Sequence, residues 1–197
     1  MRASLIVSLV VAVAVLVAAK VSAAVPAWEP DAGAQALLRS GGAYADVSPE
    51  PEGVGLIHAA IDIAAPPQLV WRVMTDCRET PKLIASADPC RVLQSGPGWD
   101  VREQVTHGDL IVPTLHNVYR SDYQPFTAIR FHRVAGDMKV EDGEWRLEPL
   151  DGGSATRVIY VNRVAAPILA PDFLVREGLR RDTPKVLLNL RRECVGR

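Results

Sequence analysis

The sequence is poor in the residues that build metal and redox centres. Of its 197 residues, three are cysteines and four are histidines. No two cysteines have the C-x₂₋₄-C spacing of structural zinc sites or the C-x-x-C spacing of thiol redox catalysts. The four histidines lie in four different predicted strands, and no two of them form an H-x-x-x-H pair. The sequence therefore predicts no metal site and no bound cofactor.

The chain also lacks an excess of charge of either sign. It contains 22 lysines and arginines against 23 aspartates and glutamates, a net charge of −1. This balance excludes a strongly basic protein, so nothing favours nucleic acid as a partner. No serine stands in a nucleophile-elbow motif, and no glycine pattern is typical of a phosphate-binding loop.

One long apolar run is present, at the N-terminus. Arg2 is followed by an apolar segment from about Leu5 to Ala19 and then by small residues up to Ala24. This order is typical of a secretory signal peptide, and the run is shorter than the roughly 20 residues that span a bilayer. We predict a signal peptide at residues 1–23 and an exported protein, periplasmic or secreted. Lys20 leaves open the alternative of an uncleaved N-terminal membrane anchor.

The stretch TDCRETPKLIASADPC places Cys77 and Cys90 on either side of a short polar loop. Outside the cytosol such a pair tends to oxidise. We therefore predict a Cys77–Cys90 disulfide, with two reduced thiols as the alternative. Closing a loop of this size stabilises a fold by about 3 kcal/mol in the chain-entropy treatment. Cys194 is expected to be a small apolar residue near the end of a helix.

Hydrophobic periodicity predicts an α+β fold. Residues 24–54 form a predicted N-terminal extension with a short helix and strand, and residues 55–197 form the main domain. GLIHAAIDIAA alternates as a half-buried strand, and a helix follows from about Pro67 to Asp76. After Cys90, six alternating stretches with short connections predict an antiparallel meander. A last, long helix should lie across the apolar face of the sheet, and Pro184 is expected to kink or break it.

Three stretches carry a family resemblance: IDIAAPPQLVWRVMTD, GEWRLEPLDGGSATRVIY and FLVREGLRRDTPKVLLNLRRE. Their order resembles the START-like (SRPBCC) superfamily, in its polyketide cyclase/dehydrase and coenzyme Q-binding (Coq10-like) branch. The resemblance covers about residues 55–193. It implies a helix-grip fold, in which a curved antiparallel sheet wraps around the C-terminal helix and encloses an apolar cavity. It also implies a hydrophobic small molecule or lipid as partner, of the quinone, isoprenoid or polyketide type.

Alternation along the strands selects the side chains expected to face that cavity. Glu103 stands between Val101 and Val105 on a face expected to be apolar, where a carboxylate could act as an acid or base. The alternative for Glu103 is a rim residue paired with an arginine. The predicted ligand-binding residues are Val101, Glu103, Tyr119, Ile129, Phe131, Trp145, Tyr160 and Asn162, with Phe173 and Leu174 at the start of the last helix. The alternative is that these side chains fill the core and leave no cavity.

Three functions remain open on this basis. The first is an exported binding protein for a hydrophobic small molecule or lipid. The second is a cyclase- or dehydratase-type enzyme on a polyketide- or steroid-like substrate, with Glu103 or a tyrosine as acid or base. The third is a domain that binds another protein and no ligand. Arginines of the last helix alternate with acidic residues, so only weak membrane contact is expected, and the sequence assigns no oligomeric state.

Overall fold

The computed structural model describes residues 27–108, 113–167 and 171–196. The predicted signal peptide lies outside these residues. The strands are β1 (Ala43–Pro49), β2 (Gly55–Ile63), β3 (Arg91–Gly96), β4 (Trp99–Thr106), β5 (Leu115–Gln124), β6 (Ala128–Gly136), β7 (Val140–Leu150) and β8 (Ala155–Ala165). The helices are α1 (Ala32–Arg39), α2 (Pro67–Thr75), α3 (Thr80–Leu83) and α4 (Asp172–Val195).

The eight strands form one antiparallel sheet in the order β1-β2-β8-β7-β6-β5-β4-β3. Strands β3 to β8 pair in sequence as a meander, and β8 returns to pair with β2. The tight connection from β7 to β8 places Asp151, Gly152 and Gly153 at φ values of 50°, 68° and 94°, a region that glycine adopts without strain. The predicted α+β class and the helix-grip arrangement, a curved sheet around a long C-terminal helix, are confirmed.

Helices α2 and α4 pack on the concave face of the sheet and bury the main core. This core contains Val70 and Val73 of α2, Leu187 and Leu190 of α4, and Ile61 of β2. Each of these side chains is at most 2% exposed. Helix α4 runs without a break through Pro184, so the predicted division into two helices does not occur. The proline removes one backbone hydrogen bond, but packing of the apolar face supplies most of the stability of a helix in a protein.

Helix α1 covers part of the opposite, convex face. The Asp31 carboxylate accepts a hydrogen bond of 2.8 Å from the Ala34 backbone N–H and so caps this helix. Leu38 then packs with Ala60, Ile159 and Val161 in a second, smaller cluster. Ile159 lies on this convex face but is only 1% exposed, because α1 covers it.

The predicted disulfide is present. Cys77, just after α2, is bonded to Cys90, which immediately precedes β3. The bond closes the segment that contains α3 and ties the end of α2 to the edge of the sheet. Cys194, the third cysteine, is 2% exposed in the last turn of α4. Across the described ranges, no helix is both long enough and apolar enough to cross a membrane.

Candidate ligand-binding site

A cavity of about 160 Å³ lies between the concave face of the sheet and the helices α2, α3 and α4. Its helical side is mainly apolar and consists of Met74, Thr75, Thr80, Leu83, Ile84, Val186, Leu187 and Leu190. Its sheet side consists of Arg102, Gln104, Tyr119, Ser121, Tyr123, Ile129, Phe131 and Trp145, with Cys90 at the edge. An apolar cavity of about 150 Å³ accepts a benzene-sized molecule, whereas sites for drug-sized ligands occupy about 300–1,000 Å³. The cavity therefore fits one ring or a short branched chain.

Aromatic side chains from neighbouring strands form a continuous wall on the sheet side. The ring of Trp145 stacks on that of Tyr160, with 3.9 Å between the centroids. The ring centroid of Phe131 lies 6.2 Å from that of Tyr160 and 6.4 Å from that of Tyr119. Burial raises the pKa of Tyr119 to about 12 and also raises that of Tyr160. Both phenols are therefore neutral at physiological pH and act as hydrogen-bonding groups.

Gly143 makes room for this wall. It is the β7 partner of Phe131 on β6, and a Cβ atom at this position would collide with the Phe131 ring and with the Val161 carbonyl oxygen. Glycine in a strand interior often marks such a close approach. The Gly-x-Trp pattern of GEWRL thus has a steric basis: the glycine accommodates Phe131, and the tryptophan lines the cavity.

Strand β4 contributes a polar side to the cavity. The Nε atom of Arg102 donates to both carboxylate oxygens of Asp100, at 3.0 and 2.8 Å. The Tyr123 hydroxyl donates to the same carboxylate at 2.8 Å, and Arg102 Nη2 donates to the Thr75 carbonyl at the end of α2, at 3.0 Å. Asp100 and Arg102 are 6% and 8% exposed. A buried ion pair is tolerated when additional hydrogen bonds satisfy it, as they do here.

Comparison with known proteins agrees with this geometry. Residues 63–191 match the family described as polyketide cyclase/dehydrase and lipid transport. The match covers more than half of the chain. The chain belongs to this family. No curated protein sequence matches it significantly.

Solved structures share the fold of this family member at low identity. The STAR-related lipid transfer protein from Xanthomonas axonopodis is 15% identical with a TM-score of 0.61, over 77% of this chain and 98% of that one. The Zhui aromatase/cyclase from a Streptomyces species is 19% identical with a TM-score of 0.56, over 73% and 92%. A START superfamily protein from Mycobacterium smegmatis is 13% identical with a TM-score of 0.61, over 72% and 97%. These likenesses show the fold alone.

The structure of this family member places most of the predicted site residues together. Tyr119, Ile129, Phe131 and Trp145 line the cavity. Tyr160 is the cross-strand partner of Trp145 and is outside the described lining of the cavity. Its hydroxyl oxygen accepts a 2.7 Å hydrogen bond from Asn162 Nδ2. Phe173 and Leu174 do begin α4 but are 61% and 53% exposed, and neither belongs to the described lining of the cavity.

The predicted orientation of β4 was wrong. Arg102 and Gln104 face the cavity, whereas Val101 and Glu103 point to the outer face. Glu103 accepts hydrogen bonds of 3.0 and 2.6 Å from Arg91 Nε and Nη2 on β3, which is the arginine-paired alternative. The prediction assumed that the apolar side of β4 faces inward. In the structure the polar side of β4 faces inward, and the buried charges of Asp100 and Arg102 compensate each other in an ion pair.

Sequence reasoning missed Arg102, Gln104 and Ser121 of the cavity lining, and also Glu141 on β7. The sequence did contain a signal for Arg102. Asp100 and Arg102 carry opposite charges at positions i and i+2, so their side chains lie on the same face of a strand. Glu141 could have been identified by continuing the inward-facing series on β7, in which every second residue (Trp145, then Gly143) faces the cavity side. Burial is the main cause that raises the pKa of Glu141 to about 7; Asp142 adds to the shift and Arg133 opposes it.

The histidine and acidic side chains of this family member give no sign of a metal centre within the described ranges. No group of three or more histidine, cysteine, aspartate or glutamate side chains is placed there to hold a metal ion. The polar chemistry of the cavity consists of a paired arginine, an amide and several hydroxyl groups. Such a set can orient a ligand by hydrogen bonds while the aromatic wall packs against it.

Proposed function

We propose that this chain is an exported binding protein that holds a hydrophobic small molecule between the sheet and α4. The observation that carries the proposal is the 160 Å³ cavity with its aromatic wall. Family membership supports a hydrophobic ligand in general terms. Export is supported by the signal-peptide pattern at residues 1–23 and by the Cys77–Cys90 disulfide, since disulfides persist outside the cytosol.

The size and lining of the cavity indicate which part of a ligand enters it. One ring of a quinone or polyketide-like molecule, or one or two isoprenoid units, matches the available volume. The planar faces of Phe131 and Trp145 favour a flat ring, because offset and edge-to-face aromatic contacts add to the gain from burial. A larger ligand would require helices α3 and α4 to move away from the sheet.

An enzymatic function is the second candidate, favoured by the likeness to the aromatase/cyclase fold. Its sequence-based argument named Glu103 or a tyrosine as the acid or base, and Tyr119 does line the cavity. Glu103 lies on the outer face, paired with Arg91, so this residue does not support the candidate. We therefore place binding first.

The experiment measures binding of ring-sized and isoprenoid probes to the mature protein. Toluene, a single ring, and geraniol, two isoprenoid units, should raise the melting temperature by mass action, and geraniol should also change the fluorescence of Trp145. The variant Leu83→Phe adds bulk to the cavity lining and should weaken binding at least tenfold. Leu188→Phe is the matched control, because Leu188 is on α4, 40% exposed and outside the described lining.

Two results would contradict the proposal. Equal loss of binding in both variants would mean that the substitutions act by disturbing the helices. No response of the unmodified protein to any probe, together with native mass spectrometry that finds no bound molecule after purification from the periplasm, would favour the protein-interaction alternative.

A further inference from the structure

A polar cluster adjoins the aromatic wall at one end of the concave face. Asn162 on β8 is directly opposite Gly143 on β7, and Tyr160 is directly opposite Trp145. Glu141 is the next residue on the same face of β7 after Gly143, so it is a diagonal neighbour of Asn162. Diagonal neighbours in an antiparallel pair lie about 7–8 Å apart, within reach of long side chains. Glu141, Asn162 and Tyr160 therefore form one group.

This cluster contains two buried acceptor atoms without a hydrogen-bond partner among the residues that the structure describes. They are Oε2 of Glu141 and Oδ1 of Asn162. Asn162 is only 4% exposed, and its Nδ2 atom already donates to the Tyr160 hydroxyl. Leaving a buried polar group unsatisfied is unfavourable, and most such groups in native proteins have a partner. Two at adjacent positions indicate a missing partner molecule.

The cluster is connected to the cavity through Tyr119. The Tyr119 side chain lines the cavity and packs edge-to-face against Phe131. Burial is the largest cause of its raised pKa, and the charge of Glu141 contributes to the same shift. Phe131, which also lines the cavity, stacks on Tyr160 of the cluster with 6.2 Å between the ring centroids, so the aromatic contacts run from the cavity lining to the cluster.

The chemistry of the unpartnered atoms defines the group that would satisfy them. Asn162 Oδ1 is an acceptor, and both oxygens of Glu141 are acceptors once the carboxyl is ionised, which is its main form above its pKa of about 7. At pH 8 the ligand must therefore donate hydrogen bonds. A carboxylate or phosphate has no hydrogen to donate when ionised and would be repelled by an ionised Glu141. A neutral hydroxyl can donate to one oxygen, and its own oxygen can accept from the Tyr160 or Tyr119 hydroxyl.

We infer that Glu141 and Asn162 form a polar subsite that binds a hydroxyl group on the hydrophobic ligand, so that the ligand is an alcohol or a phenol. The inference rests on the proposed function, since it names the ligand class of the same cavity. The aromatic wall holds the apolar body of the ligand, and the subsite selects the hydroxyl.

The test compares three probes with a single ring: toluene, p-cresol and p-toluate. Calorimetric titration of the mature protein at pH 8 should show p-cresol binding about tenfold more tightly than toluene, and p-toluate most weakly, because one or two buried hydrogen bonds account for a factor of that order. In Glu141→Leu the preference for p-cresol over toluene should disappear, while toluene binds as before. Glu144→Leu is the matched control, since Glu144 is on the outer face of β7, paired with Arg130.

The outcomes separate this inference from the proposed function. If toluene and p-cresol bind equally and Glu141→Leu changes neither, the subsite inference is overturned and the cavity still binds apolar rings; the two acceptors then hold water. If none of the three probes binds the unmodified protein, both the subsite and the ring-binding cavity fail. If Glu141→Leu and Glu144→Leu weaken all probes alike, the effect is on folding, and the subsite inference fails.

Discussion

The Asp100–Arg102 pair illustrates how a charged side chain can occupy the interior of this protein. Each partner is less than a tenth exposed, and Tyr123 and the end of α2 complete their hydrogen bonds. The substitution Asp100→Asn keeps the shape but leaves the Arg102 charge uncompensated. We expect a loss of about 3–5 kcal/mol in the free energy of unfolding by urea. Glu103→Gln removes one partner of an exposed pair with Arg91 and should cost about 1 kcal/mol or less; equal losses would contradict the assignment.

Glu141 should make the stability of the protein depend on pH. Its folded-state pKa of about 7 lies above the ordinary value of 4.5, so the folded state holds the proton more tightly than the unfolded chain. The stabilising contribution is complete below about pH 4.5 and is lost as pH rises through about 7. This carboxyl interacts electrostatically with four groups: Arg133, Asp142 and the phenols of Tyr119 and Tyr160.

The variant Glu141→Gln removes this dependence. At pH 8 its free energy of unfolding should exceed that of the unmodified protein by at most about 3 kcal/mol, an upper bound that solvent screening reduces. At pH 4 the two free energies should be nearly equal. Urea unfolding across this range measures the effect. Glu144→Gln serves as the control on the outer face. A difference between Glu141→Gln and the unmodified protein that is constant with pH would show that Glu141 has no raised pKa.

Three site residues that sequence reasoning identified are on strands whose inward-facing side chains at the cavity are apolar. Ile129 and Phe131 on β6 and Trp145 on β7 follow the simple alternation rule, and all three line the cavity. The rule failed on β4, where Val101 lies outside and Arg102 inside. Which side of a mixed strand faces the core depends on partners from other elements, here Tyr123 and Thr75, and a single strand does not contain that information.

The disulfide joins the end of α2 to the start of β3, two elements that no strand pairing connects. It holds the end of α2 against β3, and Cys90 also contributes to the cavity edge. We expect Cys77→Ser to lower the free energy of unfolding by about 2–4 kcal/mol and to weaken binding of ring-sized probes. Thermal unfolding with and without a reducing agent checks this. The expectation fails if reduction leaves the unmodified protein as stable as before.

The order and type of the elements were predictable because local signals agree with one another. Pro66 and Pro67 begin α2 as the helix-start pattern indicates, and turn residues separate the six strands after Cys90. Two features were not predictable from local pattern. Pro184 does not break α4, because Leu187 and Leu190 anchor the helix on the sheet. Ile159 is buried on the convex face because α1, remote in sequence, covers it.

At the scale of the whole molecule, the cavity and the disulfide lead to the same expectation about where the protein works. The proposed binding function places an apolar ligand between the sheet and α4, and a disulfide beside the cavity keeps the lining in place only where thiols are oxidised. The predicted export and the predicted binding therefore depend on each other. A chain kept in a reducing compartment would lose the link between Cys77 and Cys90.

This dependence can be tested by producing the protein in two ways. The full chain, exported by its own N-terminal segment, should be processed so that the mature protein begins near Ala24 or Val25, as N-terminal sequencing would show. The same protein made without residues 1–23 in a reducing cytosol should carry reduced Cys77 and Cys90 and melt several degrees lower. Mild oxidation should restore both the melting temperature and the binding of ring-sized probes. A full chain that stays unprocessed in the cytosol, with the same stability as the oxidised form, would contradict both export and the structural role of the disulfide.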